Sequence, residues 1–174
     1  DFTFDSIVES TYKRATALIT KNGGRVNGET ITVRMQAPKA VPFEDTEKFG
    51  SPAERIPLTD ARWKLSGVWK EDRKTRVATE KGASAAVSFH GAGFVLVGTL
   101  RADGGKADIF VDGKLAATRD AYPDEKQSKS GEVIHHEYGM ADGAHEVRVV
   151  VRGEPYADST GTAVAIEDLI VLRR

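Results

Sequence analysis

Several residue types and patterns that would carry particular functions are missing from this sequence. Its 174 residues contain no cysteine, which excludes disulfides, thiol catalysis and zinc sites of the cysteine type. The 25 basic and 26 acidic residues nearly balance, for a net charge of −1, whereas nucleic-acid binding usually needs a clustered basic surface. No apolar run is long enough to span a bilayer. We therefore expect neither a nucleic acid nor a membrane as a partner.

The motifs of common enzyme classes are absent as well. The sequence has no P-loop, no glycine-rich dinucleotide loop, no Gly-x-Ser-x-Gly elbow and no His-Glu-x-x-His. His135 and His136 are adjacent on a predicted strand and are expected to point to opposite faces, so they cannot both ligate one metal without distortion. Neighbouring carboxylates such as Glu167-Asp168 are interpreted as solvated loop charge, because a glycosidase needs two carboxylates held across a cleft. We expect no catalytic residue and no cofactor.

Residues 1–59 are predicted to precede the main domain. Apolar residues at three-to-four spacing predict a helix over residues 5–24, and Asn27-Gly28 predicts a hairpin. Residues 36–57 hold four of the six prolines and show little periodicity, so we interpret them as an extended connector. The sequence begins without Met and without a visible signal peptide, which indicates a mature form or a fragment of a longer protein.

Residues 60–174 show the pattern of an all-β domain. Short segments with alternating apolar residues, such as Phe94 and Leu96, recur at the spacing of a sandwich or barrel. An antiparallel sheet that covers a shared core requires this period of two. We expect strands near 62–69, 75–79, 84–90, 93–101, 106–111, 114–119, 133–138, 145–152 and 162–172. The predicted fold is an antiparallel jelly-roll β-sandwich, preceded by a helix and a connector.

Two details of this pattern concern the core. Trp63 and Trp69 share one face of the first predicted strand, and we expect at least one of them in the core. Asp168 shares its predicted face with apolar residues such as Ile166 and Ile170, where an unpaired carboxylate would be costly. Either a bulge turns Asp168 outward, which we favour, or a cation such as a structural calcium ion meets it through oxygen ligands.

Strand order also predicts where a ligand binds. In an antiparallel sandwich, successive connections alternate between the two ends. One end then holds the short turns at 91–92, 112–113 and 139–144. The other end holds the connections at 80–83, 102–105, 120–132 and 153–161. These are mostly longer, and long loops on a rigid scaffold usually carry binding sites.

The residues of these longer loops suit a sugar. Tyr122 and Tyr156 can stack on the apolar face of a pyranose ring, or they can simply plug the open end of the sandwich. Charged side chains beside them can bind vicinal hydroxyls through charge-assisted hydrogen bonds. The candidate ligand-binding residues are Arg101, Asp103, Asp120, Tyr122, Tyr156 and Asp158.

Four segments occur in an order that is typical of one class of domain. They read FHGAGFVLVG, GGKADIFVDGKLAATRDAY, DGAHEVRVVVRGE and STGTAVAIEDLIVL. With them, residues 60–174 resemble the galactose-binding-like jelly-roll modules appended to bacterial carbohydrate-active enzymes. The resemblance implies a non-catalytic carbohydrate-binding module, secreted or periplasmic, with a glycan or oligosaccharide as its partner. His145, in the third segment, is expected to stabilise a turn rather than to bind a ligand.

The N-terminal part carries a second resemblance. TYKRATALITKNGGRVNGETITVRMQAPKAVPFE is similar to a connector that follows the catalytic domain in bacterial proteins of the ADP-ribosylglycohydrolase-like group. This resemblance implies a catalytic domain of the same parent chain as a further partner. Two alternatives remain. One is a stand-alone glycoside hydrolase, and the other is a structural domain that docks on its catalytic domain through Ile7, Thr11, Ala15 and Leu18.

Overall fold

Two antiparallel β-sheets form the part of the chain that follows Phe49. By its internal contacts the chain divides into two units, Asp1–Pro42 and Phe43–Arg174. Within the described ranges, no helix combines the length and the apolar character that crossing a membrane requires. The computed structural model describes residues 13–17, 19–21, 25–27, 30–32, 49–123 and 127–174.

The first unit contains helical residues and a hairpin. Residues 13–17 and 19–21 are helical. Strand β1 (Arg25–Asn27) pairs antiparallel with β2 (Thr30–Thr32), which confirms the hairpin predicted at Asn27-Gly28. The remainder of the predicted helix lies outside the described residues. So do three residues of its apolar stripe, Ile7, Thr11 and Leu18.

The second unit is an all-β sandwich, as predicted. One sheet has the strand order β10-β9-β12-β7-β4, and the other has the order β11-β8-β13-β6-β5, with β3 also paired to β13. These strands pair antiparallel. Their bounds are β3 Ser51–Pro57, β4 Lys64–Ser66, β5 Lys70–Asp72, β6 Thr75–Ala78, β7 Ser84–Gly91, β8 Gly93–Leu100, β9 Gly105–Val111, β10 Lys114–Asp120, β11 Lys129–Glu137, β12 Gly143–Pro155 and β13 Val164–Arg173.

The core lies between the inward faces of the two sheets. Phe94 and Leu96 of β8 and Val147 of β12 are fully buried, as the alternation predicted. Each such side chain contributes about 1.5–3 kcal/mol through its removal from water. Trp63 is also buried, and its Nε1 donates a hydrogen bond to the carbonyl oxygen of Ile56 at 3.3 Å. This confirms the core position expected for at least one tryptophan.

Only residues 64–66 of the strand predicted near residues 62–69 form a strand, and β5, which was not predicted, begins after that range at Lys70. Strand β4 pairs with β7, whereas β5 pairs with β6 in the other sheet. The break follows Gly67, whose φ of +78° is costly for residues with a Cβ. A Cβ at Gly67 would also lie only 2.9 Å from the Cβ of Ala83. Trp69 lies beyond this break, and it packs against the same core as Trp63 but is only partly buried.

Strand β3 occupies part of the predicted connector. It pairs with β13 over residues 51–57, and its Ile56 is fully buried. Pro52 and Pro57 lie near the two ends of this strand, and β13 is its one partner in the sheet. An edge strand tolerates proline because its outer N–H groups are not needed for the ladder. Because of its prolines, this segment was predicted to be a connector, although it pairs antiparallel with β13 as an edge strand.

A β-bulge in β13 sets the orientation of Asp168. The register against β8 shifts between Ile166 and Asp168, so Glu167 is an extra residue. The bulge reverses the alternation, and Asp168 turns away from the core. Nη1 of Arg55 lies 2.6 Å from Oδ2 of Asp168. The favoured prediction of a bulge is confirmed. The cation beside the carboxylate is Arg55 of β3, whereas the alternative prediction named calcium.

Candidate functional site

The end of the sandwich that we call the turn pole comprises residues 91–92, 112–113 and 139–144. The amide of Met140 donates a hydrogen bond to the carbonyl of Ala92 at 2.9 Å. Nδ1 of His145 lies 2.8 Å from Oδ2 of Asp112, and its Nε2 lies 2.8 Å from the carbonyl oxygen of Ala141. These contacts confirm that the three short turns share one end and that His145 stabilises them.

The two hydrogen bonds of His145 change the titration of both side chains. Burial by itself lowers the pKa of His145, but the hydrogen bonds to Ala141 and Asp112 outweigh it and raise the pKa above its usual value. The contact with His145 is also the main reason why the pKa of Asp112 is lowered. The turn pole is therefore held by a charged pair in mildly acidic solution.

The opposite end, the loop pole, comprises residues 80–83, 101–105, 120–123 and 156–163. The amide of Arg101 donates to the carbonyl of Ala121, and the amide of Ala163 donates to the carbonyl of Asp103, both at 2.8 Å. Gly104 has no room for a side chain, because a Cβ there would lie 2.1 Å from the carbonyl oxygen of Ala121. The predicted grouping of the longer connections at one end is confirmed.

The tyrosine pair (Tyr122 and Tyr156) lies at the loop pole, as the count of connections predicted. Tyr122 follows β10 and Tyr156 follows β12, the two strands that flank β9. Their rings are stacked, with centroids 5.3 Å apart and an interplanar angle of 22°. Tyr156 is 38% exposed, whereas Tyr122 is half-buried. Tyr156 presents aromatic surface to solvent and Tyr122 less so, and both interpretations of the pair, sugar stacking and closure of the sandwich end, stay predictions.

Short polar contacts hold the segments that carry these rings. Oδ1 of Asp120 accepts a hydrogen bond from the amide of Tyr122 at 3.3 Å. The amide of Ser159 donates to the carbonyl of Tyr156 at 3.0 Å, which closes a turn with Asp158 exposed inside it. The structure therefore places Asp120 and Asp158 each beside one tyrosine along the chain, and their role toward a ligand stays a prediction.

Arg101 and Asp103 form an ion pair at the same pole. Nε of Arg101 lies 2.8 Å from Oδ1 of Asp103, and Nη1 lies 2.7 Å from Oδ2 of Asp72 on β5. The hydrogen bond to Asp103 is the main reason why the pKa of Arg101 is raised, and the same bond lowers the pKa of Asp103. A guanidinium has five N–H donors, so these contacts leave donors available. The pair is charged and pre-oriented.

A polar cleft of about 660 Å³ opens beside Arg101. Glu167, the extra residue of the bulge, lines it. Its Oε1 accepts hydrogen bonds from the hydroxyl of Thr99 at 2.7 Å and from the amide of Gly131 at 2.9 Å. The interpretation of Glu167 and Asp168 as solvated loop charge is wrong, since both are hydrogen-bonded on a strand. The cleft is lined by Asp72, Arg73, Lys74, Thr75, Thr99, Arg101, Ser128, Ser130, Gly131 and Glu167.

Sequence reasoning missed the cleft because its lining comes from separate segments of β5, β6, β8, β11 and β13. One signal pointed toward it. A bulge at Asp168, which the apolar neighbours on its face favoured, leaves Glu167 as an extra residue on the strand. No pattern indicated that Thr99 and Gly131 would meet that carboxylate.

An apolar groove of about 430 Å³ lies on the six-stranded sheet, near the turn pole. The rings of Phe49 and Tyr138 meet edge to face with centroids 6.1 Å apart. Tyr138 is 48% exposed. The groove is lined by Phe49, Gly50, Pro52, Val95, Tyr138 and Leu172. None of the predicted ligand-binding residues contributes to it.

The adjacent histidines differ in burial, but the prediction that they point to opposite faces is not confirmed, since their rings stack with centroids 6.4 Å apart. His135 is buried, and its Nδ1 lies 3.4 Å from Nε of Arg119. Burial and then the charge of Arg119 lower the pKa of His135. His136 is exposed, with its ring centroid 4.6 Å from that of Tyr138. Among the residues that the structure describes, no group of three or more histidine and carboxylate side chains is placed to hold a metal ion.

The second unit is thus an all-β sandwich with its polar and aromatic candidate residues at one pole. No protein-family model and no curated protein sequence matches the chain. Among solved structures it is similar to a two-domain esterase (CEX) active on acetylated mannans, with a TM-score of 0.58 and 16% identity over 81% of this chain and 42% of that one. The esterase structure co-crystallised with mannopentaose gives a TM-score of 0.52 and 15% identity over 71% of this chain and 38% of that one.

A third similar structure is a CBM36-1 domain of a multidomain xylanase from the hindgut metagenome of Trinervitermes trinervoides. It has a TM-score of 0.45 and 12% identity over 67% of this chain and 93% of that one. The chain spans less than half the length of the two esterase chains. At such low identities, the likeness to the esterases concerns the fold alone.

Proposed function

We propose that this domain is a non-catalytic carbohydrate-binding module of a larger bacterial enzyme that is secreted or periplasmic. The tyrosine pair carries the proposal: an exposed Tyr156 ring, backed by Tyr122 at 5.3 Å, stands where the longer loops converge. Loops held on a rigid scaffold commonly carry binding residues. The fold likeness to an esterase active on acetylated mannans makes mannan oligosaccharides the first ligands to test.

The stacked arrangement prepares Tyr156 for a sugar ring. An aromatic ring offers apolar area to the C–H face of a pyranose, while its hydroxyl remains in water. Ordering a free side chain on binding costs about 0.5–1.5 kcal/mol. Because Tyr122 already packs against Tyr156, much of that cost is met in the unbound protein. The stacking therefore favours binding even though the exposed area is small.

The ion pair of Arg101 and Asp103 supplies polar recognition at the same pole. Its short hydrogen bonds fix both groups, and each can still form charge-assisted hydrogen bonds to sugar hydroxyls. One ring and a few hydrogen bonds give weak affinity for a single sugar. Tethering to an enzyme compensates, because a short linker provides an effective concentration in the millimolar range.

NMR titration of the chain with mannopentaose tests the proposal, together with a panel of galacto- and xylo-oligosaccharides. We expect saturable binding with shifts at the loop pole. Tyr156→Ala should weaken it at least about tenfold, which corresponds to about 1.4 kcal/mol of lost stacking. Tyr138→Ala is the matched control, since it removes an exposed tyrosine from the apolar groove and should bind like wild type. Unchanged affinity in Tyr156→Ala, or no binding across the panel, contradicts the proposal.

The apolar groove favours a second candidate function, a structural domain that docks on its parent catalytic domain. An aromatic-lined groove with Tyr138 48% exposed is the kind of surface that a neighbouring domain covers. Under this function, hydroxyl-radical labelling of Tyr138 should be strong in this chain alone and weak in the full-length parent protein. Labelling of Tyr156 serves as the reference. Equal labelling of Tyr138 in both samples argues against docking.

A further inference from the structure

The turn between β5 and β6 places two cations at the polar cleft. Asp72 pairs with Thr75, so Arg73 and Lys74 form a two-residue loop. The hydroxyl of Thr75 donates to the carbonyl of Asp72 at 2.8 Å and holds the turn. Both cations are exposed and line the cleft. Neither makes a hydrogen bond or an ion pair with any residue in the part of the chain that the structure describes.

Arg73 occupies a backbone conformation that favours glycine. Its φ is +58°, and a non-glycine residue in the left-handed region is strained. Two-residue hairpin loops with a positive φ at the first loop position usually carry glycine there. Strain of this kind concentrates at functional sites, where a side chain is needed at that point. Arg73 lines the cleft, so we attribute the presence of a strained arginine at this position to a function of its side chain there.

The other charges of the cleft are already engaged. Nη1 of Arg101 holds Asp72 at 2.7 Å. Oε1 of Glu167 accepts hydrogen bonds from Thr99 and Gly131. With the turn cations (Arg73 and Lys74), the described residues that line the cleft carry three positive and two negative side chains, a net charge of +1. A volume of about 660 Å³ falls within the roughly 300–1,000 Å³ of small-molecule sites.

We propose that the polar cleft binds a carboxylate-bearing sugar, a uronic acid residue of a glycan, and that Arg73 is the specificity-determining residue. The inference rests on the proposed carbohydrate-binding function and adds the chemical class of the ligand. A guanidinium binds a carboxylate through two parallel hydrogen bonds, which fix the orientation of the acid as well as its charge. Ser128 and Ser130 line the same cleft, and their hydroxyls suit the ring hydroxyls of the sugar.

The test compares acidic and neutral trisaccharides of equal linkage by calorimetric titration. The acidic series is the trimers of galacturonic, mannuronic and glucuronic acid, and the neutral series is the trimers of galactose, mannose and glucose. We expect at least one acidic trimer to bind about tenfold more tightly than its neutral counterpart at low ionic strength. The preference should shrink as salt is added, because exposed charges are screened.

Arg73→Gly is the decisive variant. It removes the guanidinium and also relieves the backbone strain, so it should abolish the preference for the acid without lowering Tm. Affinity for the neutral trimer should fall much less than affinity for the acidic trimer. Lys114→Ala, which removes one exposed positive charge near the turn pole, is the control for net charge and should keep the preference.

The outcomes separate this inference from the proposed function. Equal binding of both series, or an acid preference that survives Arg73→Gly, overturns the uronic acid site and leaves the carbohydrate-binding module standing. If neither series binds and mannopentaose does not bind, both proposals fall. A large fall in Tm of Arg73→Gly overturns the claim that this arginine is held under strain.

Discussion

A single added methyl group at Gly104 should disturb both the stability of the sandwich and the tyrosine pair. A Cβ at this position would lie 2.1 Å from the carbonyl oxygen of Ala121 and 2.8 Å from that of Arg101. Both atoms belong to the backbone, so no flexible side chain can move aside. Ala121 immediately precedes Tyr122, and its carbonyl accepts the hydrogen bond from Arg101. Relief of the clash must therefore shift the segment that carries Tyr122.

The expected magnitude follows from this distance. Ordinary van der Waals contact begins at 3.4 Å. The Ala121 carbonyl oxygen must therefore move by about 1.3 Å, and a shift of this size requires movement of the backbone. Such overpacking costs about 1–3 kcal/mol. At about 4 °C per kcal/mol for a unit of this size, the variant Gly104→Ala should have a Tm lower by about 4–12 °C.

Differential scanning calorimetry measures this change, and near-ultraviolet circular dichroism follows the stacked tyrosines. Gly143→Ala is the matched control, because a Cβ at Gly143 meets nothing within 4 Å and its φ is not positive. We expect that control to leave Tm unchanged or to raise it by up to about 4 °C, since only backbone entropy is altered. If Gly104→Ala and Gly143→Ala have the same Tm and the same tyrosine signal, the close packing argued for the loop pole is refuted.

Two further predictions concern the turn pole and the core. His145→Gln should destabilise the fold by about 1–2 kcal/mol in mildly acidic solution, through the lost hydrogen bonds to Asp112 and Ala141. Because the folded pKa of His145 is raised, its contribution is complete below the usual value of about 6.5 and is lost as the pH rises through the raised value. Urea unfolding from pH 5 to 9 should show the difference from wild type shrinking, and a constant difference would contradict a charged ring. Phe94→Ala should cost about 3–5 kcal/mol in the same assay at pH 7, because the ring is fully buried. A cost below about 1 kcal/mol would mean that the core is not packed around it.

The sandwich and its two poles were predictable because their signals are local. Alternation such as that around Phe94 reports one buried face, and Asp112-Gly113 reports a chain reversal. Connections of antiparallel strands must alternate between ends, so Tyr122 and Tyr156 could be assigned to one pole without knowledge of which strands are neighbours. The elements that the sequence pattern missed, β3 and β5, precede β7 and leave the count of connections after it unchanged.

The contacts that complete the candidate site join residues far apart in the sequence, and no local sequence pattern predicts them. Arg55 and Asp168 are 113 residues apart, so the alternation favoured an outward turn of Asp168 without revealing its partner. Thr99 lies 68 residues from Glu167. The polar cleft depends on such pairings across five strands. The sequence supplied its chemical groups, and the register of the sheet supplied their arrangement.

Strand β13 is the element on which the six-stranded sheet depends. It pairs with β8, β6 and β3, although β3 lies more than a hundred residues before it in the chain. During synthesis, the partners β3, β6 and β8 leave the ribosome without the strand that joins them. The nascent chain must therefore wait with unpaired strand edges, a state in which proteins are prone to aggregate. Folding of this domain should therefore be slow and dominated by the late closure of one long loop.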